Sequence, residues 1–338
     1  MSNPKLSIVI HAEEEFNWDD GFYRSNTEVS HGDELIEFVD EILQCGGKVT
    51  LAMDYPFIMS SDGKKVVKHF KAQEGENIEF ATHLHPWVNP PYEDDNDEVI
   101  NRHSFPGNLP KNVEFSKLKT LTEEIEKETG TRPITYLAGR YGTGENSAEI
   151  LKSLGYKVDL SISAYSNFSH VEGPNFVNYT NKIHSKDALT YIPHTCSVVS
   201  FNRTIENHFN LNPSSLDFIQ RNKISGLLSK VLRVKKYRLS PEGFTYDHMK
   251  QMTESLMSIG QKEFLLSFHS PSVKVGGTPY VTTANELDRF KRSVLEYLEW
   301  FGTISCSSSF LPSSIVFKDH HEDKILMFGG SGYNRQGM

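Results

Sequence analysis

The stretch Glu79–Pro91, EFATHLHPWVNPP, decides the fold and locates the candidate site, because it ends an apolar run with two imidazoles two residues apart. Side chains at i and i+2 of an extended segment share a face, so His83 and His85 are predicted to point the same way. Pro86 stops the strand directly after them. Two imidazoles on one face are a ready pair of metal ligands. Taken alone, the pattern slightly favours a simpler interpretation, one buried, hydrogen-bonded histidine beside an exposed one.

A second strand end changes that balance. The run Leu6–Phe16, LSIVIHAEEEF, is rich in β-branched residues and ends in polar ones. Its alternation is predicted to place His11, Glu13 and Glu15 on one face. A carboxylate-rich strand end that faces a two-histidine strand end predicts a mononuclear metal site.

Length and composition limit what such a site can belong to. The 338 residues, with 37% hydrophobic content, can bury a large core, and no Gly/Ser- or Pro-rich linker divides them, which favours one domain over two. The formal net charge of −9, with no basic run longer than RVKK at 233–236, argues against nucleic acid as a partner. No run approaches the roughly 20 apolar residues that span a bilayer.

Cysteine usage and the amino terminus predict the compartment. Acidic residues directly follow the short apolar run Ile8–Ile10, so it does not look like a secretion signal. Cys45, Cys196 and Cys306 are far apart and odd in number, which indicates reduced thiols. We therefore expect a cytoplasmic protein, with a mobile tail at 318–338. The oligomeric state is left open.

Strand and helix patterns alternate along the chain. Strands are predicted at 6–11, 48–53, 78–84, 134–138, 158–163, 188–193, 264–268 and 302–306, and helices at 33–43, 114–129, 146–154, 245–259 and 286–301. The polar segment 60–77 is expected to hold at most a short helical piece, and the somewhat basic segment 214–238 one helix. Such alternation predicts a parallel sheet with helices outside, either open and doubly wound or closed as a barrel.

The polar residues favour a barrel. They follow four different strands, at 11–15, 83–85, 139–140 and 269. The carboxyl-end face of a barrel brings such groups together, whereas an open sheet concentrates them at one switch point, usually with a Gly-rich phosphate loop. No G-x-G-x-x-G motif follows a strand and no Walker lysine is present, so nucleotide binding is disfavoured.

The chain resembles the polysaccharide deacetylase superfamily (carbohydrate esterase family 4-like), specifically its WalW-like branch. The resemblance lies in eight runs in the expected order: IVIHAEEEFNW, THLHPWVNPP, PGNLP, YLAGRYGTG, SLGYKVDLSIS, LSPEGFT, LLSFHSPSVKVGGTPYV and LEYLEWF. It covers about residues 6–311. It implies an α/β fold, a distorted, incomplete (β/α)7-8 barrel in a single domain at 1–317. It also implies a hydrolase that uses one divalent metal, usually zinc, to remove N-acetyl groups from an amino sugar, polysaccharide or glycan precursor.

The resemblance further implies roles for individual residues. By position it assigns the base to His11, the metal-binding carboxylate to Glu13, the metal histidines to His83 and His85, the arginine that orients the base to Arg140, and the late-strand histidine acid to His269.

Four other residues have predicted supporting roles. Trp87 and Tyr141 are expected to form a stacking wall for a sugar ring, although buried aromatic residues at strand ends are more often plain packing. Glu15 is the alternate metal-binding carboxylate. Asp159 is expected to cap or support the site.

One departure from the superfamily pattern leaves the activity open. His11 stands where an aspartate base is usual. A neutral imidazole can accept a proton as an aspartate does, but an imidazole that coordinates a metal would fill the position needed for water or substrate. Three alternatives therefore remain: an N-deacetylase, a degenerate member that binds a glycan or a metal, and a hydrolase of a different amide or an O-acetyl ester.

Overall fold

Strands and helices alternate in the computed structural model, which describes residues 3–17, 20–213, 215, 234–304 and 307–316. The strands are β1 (Lys5–Ala12), β2 (Phe22–Tyr23), β3 (Val49–Met53), β4 (Ile78–Leu84), β5 (Glu98–Val99), β6 (Thr135–Ala138), β7 (Val158–Asp159), β8 (His184–Lys186), β9 (Leu189–Tyr191), β10 (Cys196–Val199), β11 (Lys235–Arg238), β12 (Glu263–His269) and β13 (Ser308–Ser309). The α-helices are α1 (Gly32–Gln44), α2 (Tyr55–Met59), α3 (Ser61–Phe70), α4 (Lys111–Thr129), α5 (Ser147–Leu154), α6 (Arg203–Leu211), α7 (Tyr246–Ser258) and α8 (Ala284–Thr303).

One curled sheet organises the molecule. Its strand order is β12-β1-β3-β4-β6-β7-β9-β8, with β13 beside β1. The pairings are parallel apart from the antiparallel edge pair β8–β9. Two short ribbons, β10–β11 and β2–β5, lie outside it. This single α/β domain is a half-barrel, so the predicted fold class, a distorted and incomplete (β/α) barrel, is confirmed.

Both faces of the sheet are covered, which explains why all seven residues of β4 are buried. One face packs on the helices, and Val9 and Ala81 belong to a separate apolar cluster on the interior face. Since side chains alternate along a strand, the next interior positions after Val9 and Ala81 are His11 and His83. The interior face therefore changes from apolar to imidazole at the carboxyl edge of the sheet.

Several elements differ from the sequence predictions, among them α3 and the last strand. The polar segment 60–77 contains a full helix, α3, which Ser60 caps by accepting from the Gly63 N–H at 2.8 Å and which buries Val66, Val67 and Phe70. Its lysines obscured that apolar face. The strand predicted at 302–306 is also wrong in position, because α8 continues to Thr303 and the strand that pairs with β1 is β13, at Ser308–Ser309.

Other predictions lie beyond what the structure describes. The helix predicted within 214–238 falls mostly on residues outside the described ranges, apart from β11, and the 318–338 tail falls outside them entirely. No helix in the described part of the chain is both long and apolar enough to span a bilayer.

Candidate metal-binding and catalytic site

The carboxyl ends of β1, β4 and β12 bring the predicted site residues together. His11 pairs in parallel register with His269, and it lies beside Ala52 of β3 on the other side. His83 ends the interior column of β4, and His85 follows it two residues later. These strand ends surround the buried carboxylate of Glu13, which directly follows β1.

Glu13 lies between two imidazoles. Its Oε2 is 3.4 Å from His83 Nε2 and 3.6 Å from His85 Nε2. Burial by itself would raise the pKa of Glu13, but the charge of His269 and the neighbouring His83 and His85 imidazoles outweigh it and lower the pKa. Glu13 is therefore ionised at neutral pH.

Hydrogen bonds on the far side of each ring orient these imidazoles. His83 Nδ1 donates to the Leu137 carbonyl at 3.1 Å, and His85 Nδ1 donates to Glu14 Oε2 at 2.8 Å. Burial lowers the pKa of both histidines, which keeps them neutral. Each therefore turns an unprotonated Nε2 towards Glu13, as metal-binding histidines do.

A second carboxylate cluster stands behind His85. Trp87 Nε1 donates to Glu14 Oε1 at 2.9 Å, and the Glu14 N–H donates to Asp54 Oδ2 at 3.1 Å. The Glu14 and Asp54 carboxyl groups also hydrogen-bond with each other. Burial raises the pKa of Glu14 to about 8 and also raises the pKa of Asp54. The pair therefore shares a proton near neutral pH.

Two more imidazoles line the interior face. The Nε2 atoms of His11 and His194 are buried without a hydrogen-bond partner among the described residues. Their ring centroids are 5.6 Å apart, and burial holds the pKa of each well below its usual value. Ligand atoms of His11, Glu13 and His83 all lie within 4.8 Å of one another. Neutral imidazoles around one ionised carboxylate suit a divalent cation of borderline softness, so the residues present fit such an ion.

His269 differs from the other imidazoles. Its Nδ1 is 2.8 Å from Glu242 Oε2, and its backbone N–H donates to Glu242 Oε1 at 3.0 Å. Burial alone would lower its pKa, but the charges of Glu242 and Glu13 raise the pKa of His269 to about 9. His269 is therefore an imidazolium at neutral pH, beside neutral His11, with ring centroids 4.6 Å apart.

Glu15 does not share the face of Glu13, and the prediction of an alternate ligand is corrected here. Its carboxylate is bonded to Ser30 and to His31 Nδ1, both at 2.8 Å. The strand ends at Ala12, so the two-residue alternation does not extend to position 15.

Three other predicted residues take different places. The Trp87 indole is fully buried, stacks on His85 with ring centroids 4.2 Å apart and also lines the site cavity. Asp159 accepts from the Ser161 N–H at 2.8 Å and supports the loop after β7. Arg140 donates to Asn101 and Ser104, and the arginine whose charge acts on His11 is Arg238.

Sequence reasoning missed Asp54, His194, Arg238 and Glu242. Asp54 and His194 directly follow the predicted strands 48–53 and 188–193, as His85 follows the predicted strand 78–84. Glu242 lies in the LSPEGFT run, but nothing in its spacing pairs it with His269, because that contact crosses 27 positions of chain.

The site opens into a cavity of about 330 Å³. The described residues around it are His11, Glu13, His83, His85 and His269, the arginines Arg140 and Arg238, Val171, and the aromatic residues Phe16, Phe22, Trp87, Phe105, Tyr141, Phe168 and Tyr280. Tyr141 lines it as predicted and stacks on Phe168, with ring centroids 5.8 Å apart. The volume is at the lower end of the roughly 300–1,000 Å³ usual for small-ligand sites.

Solved structures with this fold include enzymes named for carbohydrate chemistry. The chain is similar to 4-alpha-glucanotransferase from Thermococcus litoralis, with 10% identity and a TM-score of 0.51, over 93% of this chain but 40% of that one. It is similar to a protein from Mycobacterium smegmatis assigned as a polysaccharide deacetylase, with 11% identity and a TM-score of 0.50, over 85% of this chain and 77% of that one. A probable polysaccharide deacetylase from Pseudomonas aeruginosa PAO1 has 13% identity and a TM-score of 0.47, over 92% and 89%.

The first two similarities establish the fold alone. This chain spans less than half the length of the glucanotransferase. No protein-family model matches the sequence, and no curated protein does.

Proposed function

We propose that this chain is a metal-dependent hydrolase of the polysaccharide deacetylase superfamily, in its WalW-like branch, which removes N-acetyl groups from an amino sugar, polysaccharide or glycan precursor. The observation that carries the proposal is the ionised Glu13 carboxylate between the Nε2 atoms of His83 and His85. The ordered motifs of the sequence and the half-barrel fold support the superfamily assignment.

Glu13, His83 and His85 would hold the cation, for which zinc is the preferred ion. His85 completes the set in preference to His11, because its Nδ1–H bond to Glu14 leaves the Nε2 lone pair directed at Glu13. When bound, a divalent cation would polarise the acyl carbonyl as a Lewis acid. The remaining chemistry belongs to side chains of this chain.

His11 and His269 are suited to opposite proton transfers. Burial keeps His11 neutral, so its Nε2 can accept a proton from the attacking water. His269 is protonated and held by Glu242 through Nδ1, so its Nε2–H can pass a proton to the departing amine. A base and an acid with pKa values on opposite sides of neutral pH are what amide hydrolysis requires.

The count of carboxylates argues against glycosyl transfer at this site. Glycoside chemistry uses two carboxyl groups that flank the scissile bond. Glu13 is the one carboxylate among the described residues that line the cavity. Glu242 lies behind His269 and bonds to it. An imidazole-rich site with one carboxylate favours amide or ester hydrolysis.

A second candidate is a binding protein that retains the fold and a metal but not turnover. One observation favours it: the ligand atom of His11 lies within 4.8 Å of those of Glu13 and His83, so His11 is placed to coordinate. Coordination by His11 would remove the proton acceptor and occupy the open position.

Two measurements on one preparation test the proposal. Protein purified without chelator should contain about one divalent metal per chain, and it should release acetate from N-acetylated oligosaccharides. Metal without acetate release from N- or O-acetylated glycans would favour the binding protein. Absence of both would remove the metal-dependent hydrolase from consideration.

A further inference from the structure

The arginines of the described ranges fall into two groups. Six lie within 4.0 Å of a carboxylate oxygen: Arg24, Arg102, Arg132, Arg203, Arg289 and Arg292. The other two, Arg140 and Arg238, have no carboxylate partner among the described residues, and both line the site cavity. In a chain with 44 acidic residues, the cavity is therefore where arginines lack a counter-charge.

Arg140 is held by neutral groups. Its guanidinium lies over the rings of Phe105 and Phe22, 4.1 Å and 4.5 Å from their centroids. One terminal nitrogen donates to Asn101 Oδ1 at 2.8 Å and to Ser104 Oγ. Burial lowers the pKa of Arg140 to about 10, and no nearby carboxylate offsets that effect. A guanidinium has five N–H donors, so this arrangement leaves part of its fork available to a ligand.

Arg238 is held in the same way on another side of the site. It donates to the Tyr141 hydroxyl at 2.8 Å and to Ser163 Oγ at 3.2 Å. Its guanidinium also lies over the Tyr141 ring, 4.7 Å from the centroid. Arg238 acts electrostatically on His11 and His194, whereas Arg140 acts on His85. The two arginines therefore approach the Glu13 cluster from different sides.

A tightly held loop positions both guanidinium groups. Arg140 and Tyr141 both have left-handed backbones, with φ of 55° and 59°, a conformation unusual for residues with a side chain. The loop packs so closely on the preceding one that a Cβ on Gly107 would lie 2.1 Å from Gly144 N. The Gly107 N–H also donates to the Gly142 carbonyl at 2.6 Å. Strain maintained at a ligand pocket is typical of a preorganised recognition element.

We propose that the cavity recognises a small substrate that carries an anionic oxygen group, a carboxylate or a phosphate ester, through Arg140 and Arg238. The guanidinium fork matches both groups in a bidentate manner, and a partly desolvated arginine without a counter-charge gains most from such a ligand. A cavity of about 330 Å³ has room for a single amino-sugar unit. This inference rests on the proposed function, since it specifies the substrate of the same site.

Calorimetric titration of the metal-loaded protein tests it. The probes are N-acetylglucosamine, its 6-phosphate, N-acetylmuramic acid and inorganic phosphate. We expect at least one anionic sugar to bind ten or more times tighter than the neutral one, and the phosphate and carboxylate probes distinguish the two anion types. Arg140→Gln and Arg238→Gln should each reduce that preference about tenfold, and Arg140→Lys should retain part of it. Arg132→Gln, which removes a surface ion pair with Glu126, is the matched control.

Circular dichroism and metal content confirm that each variant folds, and the two arginines provide independent tests if one variant does not. Equal binding of neutral and anionic sugars, or a preference that survives in both glutamine variants, would overturn the inference.

The proposed function can fail separately from this inference. Acetate release from neutral oligosaccharides without an anion preference keeps the hydrolase and removes this inference. Tight, arginine-dependent binding of an anionic sugar without acetate release keeps this inference and removes the hydrolase.

Discussion

Glu13 and Glu14 are chain neighbours of the same type with opposite electrostatic behaviour. Glu13 turns towards the cavity, among imidazoles, and its pKa is lowered. Glu14 turns behind His85, against Asp54 and Trp87, and burial raises its pKa to about 8. The two residues are adjacent in the chain. The Glu13 carboxylate nevertheless faces the cavity, whereas the Glu14 carboxylate lies behind His85.

This difference shows that the neighbours of a carboxylate decide its task. The charge of the His269 imidazolium and the neighbouring imidazoles favour the charged form of Glu13, so it can bind a cation. A second carboxylate beside Glu14 favours a shared proton, so Glu14 can orient His85 without adding a full charge at the metal position. The predictions below test the assignment of Glu13 as the cavity-facing metal ligand and of Glu14 as the carboxylate that orients His85.

The largest effect is expected for Glu13→Gln. This change removes the anionic ligand while it preserves shape, so metal should be lost at micromolar concentration and acetate release with it. His83→Ala should have the same result. Glu14→Gln is the matched control, for which second-sphere losses of only about 10–100-fold in metal affinity are typical. Metal analysis after dialysis measures all three. Full metal content in Glu13→Gln and His83→Ala would refute the ligand assignment.

His269→Ala should retain its metal but lose roughly 10²–10⁴-fold in acetate release, the usual effect of a missing general acid. The pKa of about 9 for His269 also predicts that activity in the parent falls as pH rises through that value, because the acid loses its proton. A pH–rate profile beside metal analysis checks both expectations. Parallel loss of metal would mean that His269 is a ligand instead.

A smaller effect is expected for His11→Asp. If His11 accepts the proton, the parent is active, and an aspartate should change acetate release by no more than about tenfold. Metal content is measured in both proteins. If the parent protein releases no acetate but the His11→Asp variant does, the protein is a degenerate deacetylase that only binds its ligand.

The smallest effect concerns stability in metal-free protein. The folded-state pKa of Glu14, about 8, lies above its unfolded value. Its contribution to the free energy of unfolding is therefore fully present below about pH 4.5 and is lost as pH rises through 8. The difference between 4.5 and about 8 sets an upper limit of about 5 kcal/mol on this loss. Thermal melts of the chelated parent should show it, and Glu14→Gln should flatten the dependence. The same pH dependence of stability in the parent and in Glu14→Gln would show that Glu14 is not the buried acid.

Much of the site was predictable because strand periodicity is a local property. The pairs His83/His85 and His11/Glu13 were identified by alternation, and the structure brings all four to one sheet edge. The prediction of Glu15 was wrong because the strand ends at Ala12, and strand length depends on pairing with β3 and β12 and not on local pattern.

The sequence by itself determined the alternation of strands and helices and the strand ends where polar residues lie, since these follow from hydrophobic periodicity along one segment. The incomplete barrel was implied by the resemblance and not by that periodicity. Only the tertiary structure decided which groups meet. Glu242 reaches His269, Asp54 reaches Glu14, and Arg238 reaches Tyr141 across gaps of 27, 40 and 97 positions. Those contacts set which carboxylate is charged, which imidazole holds a proton and which arginine lacks a partner. They depend on burial and on charges from distant segments, which no local pattern specifies.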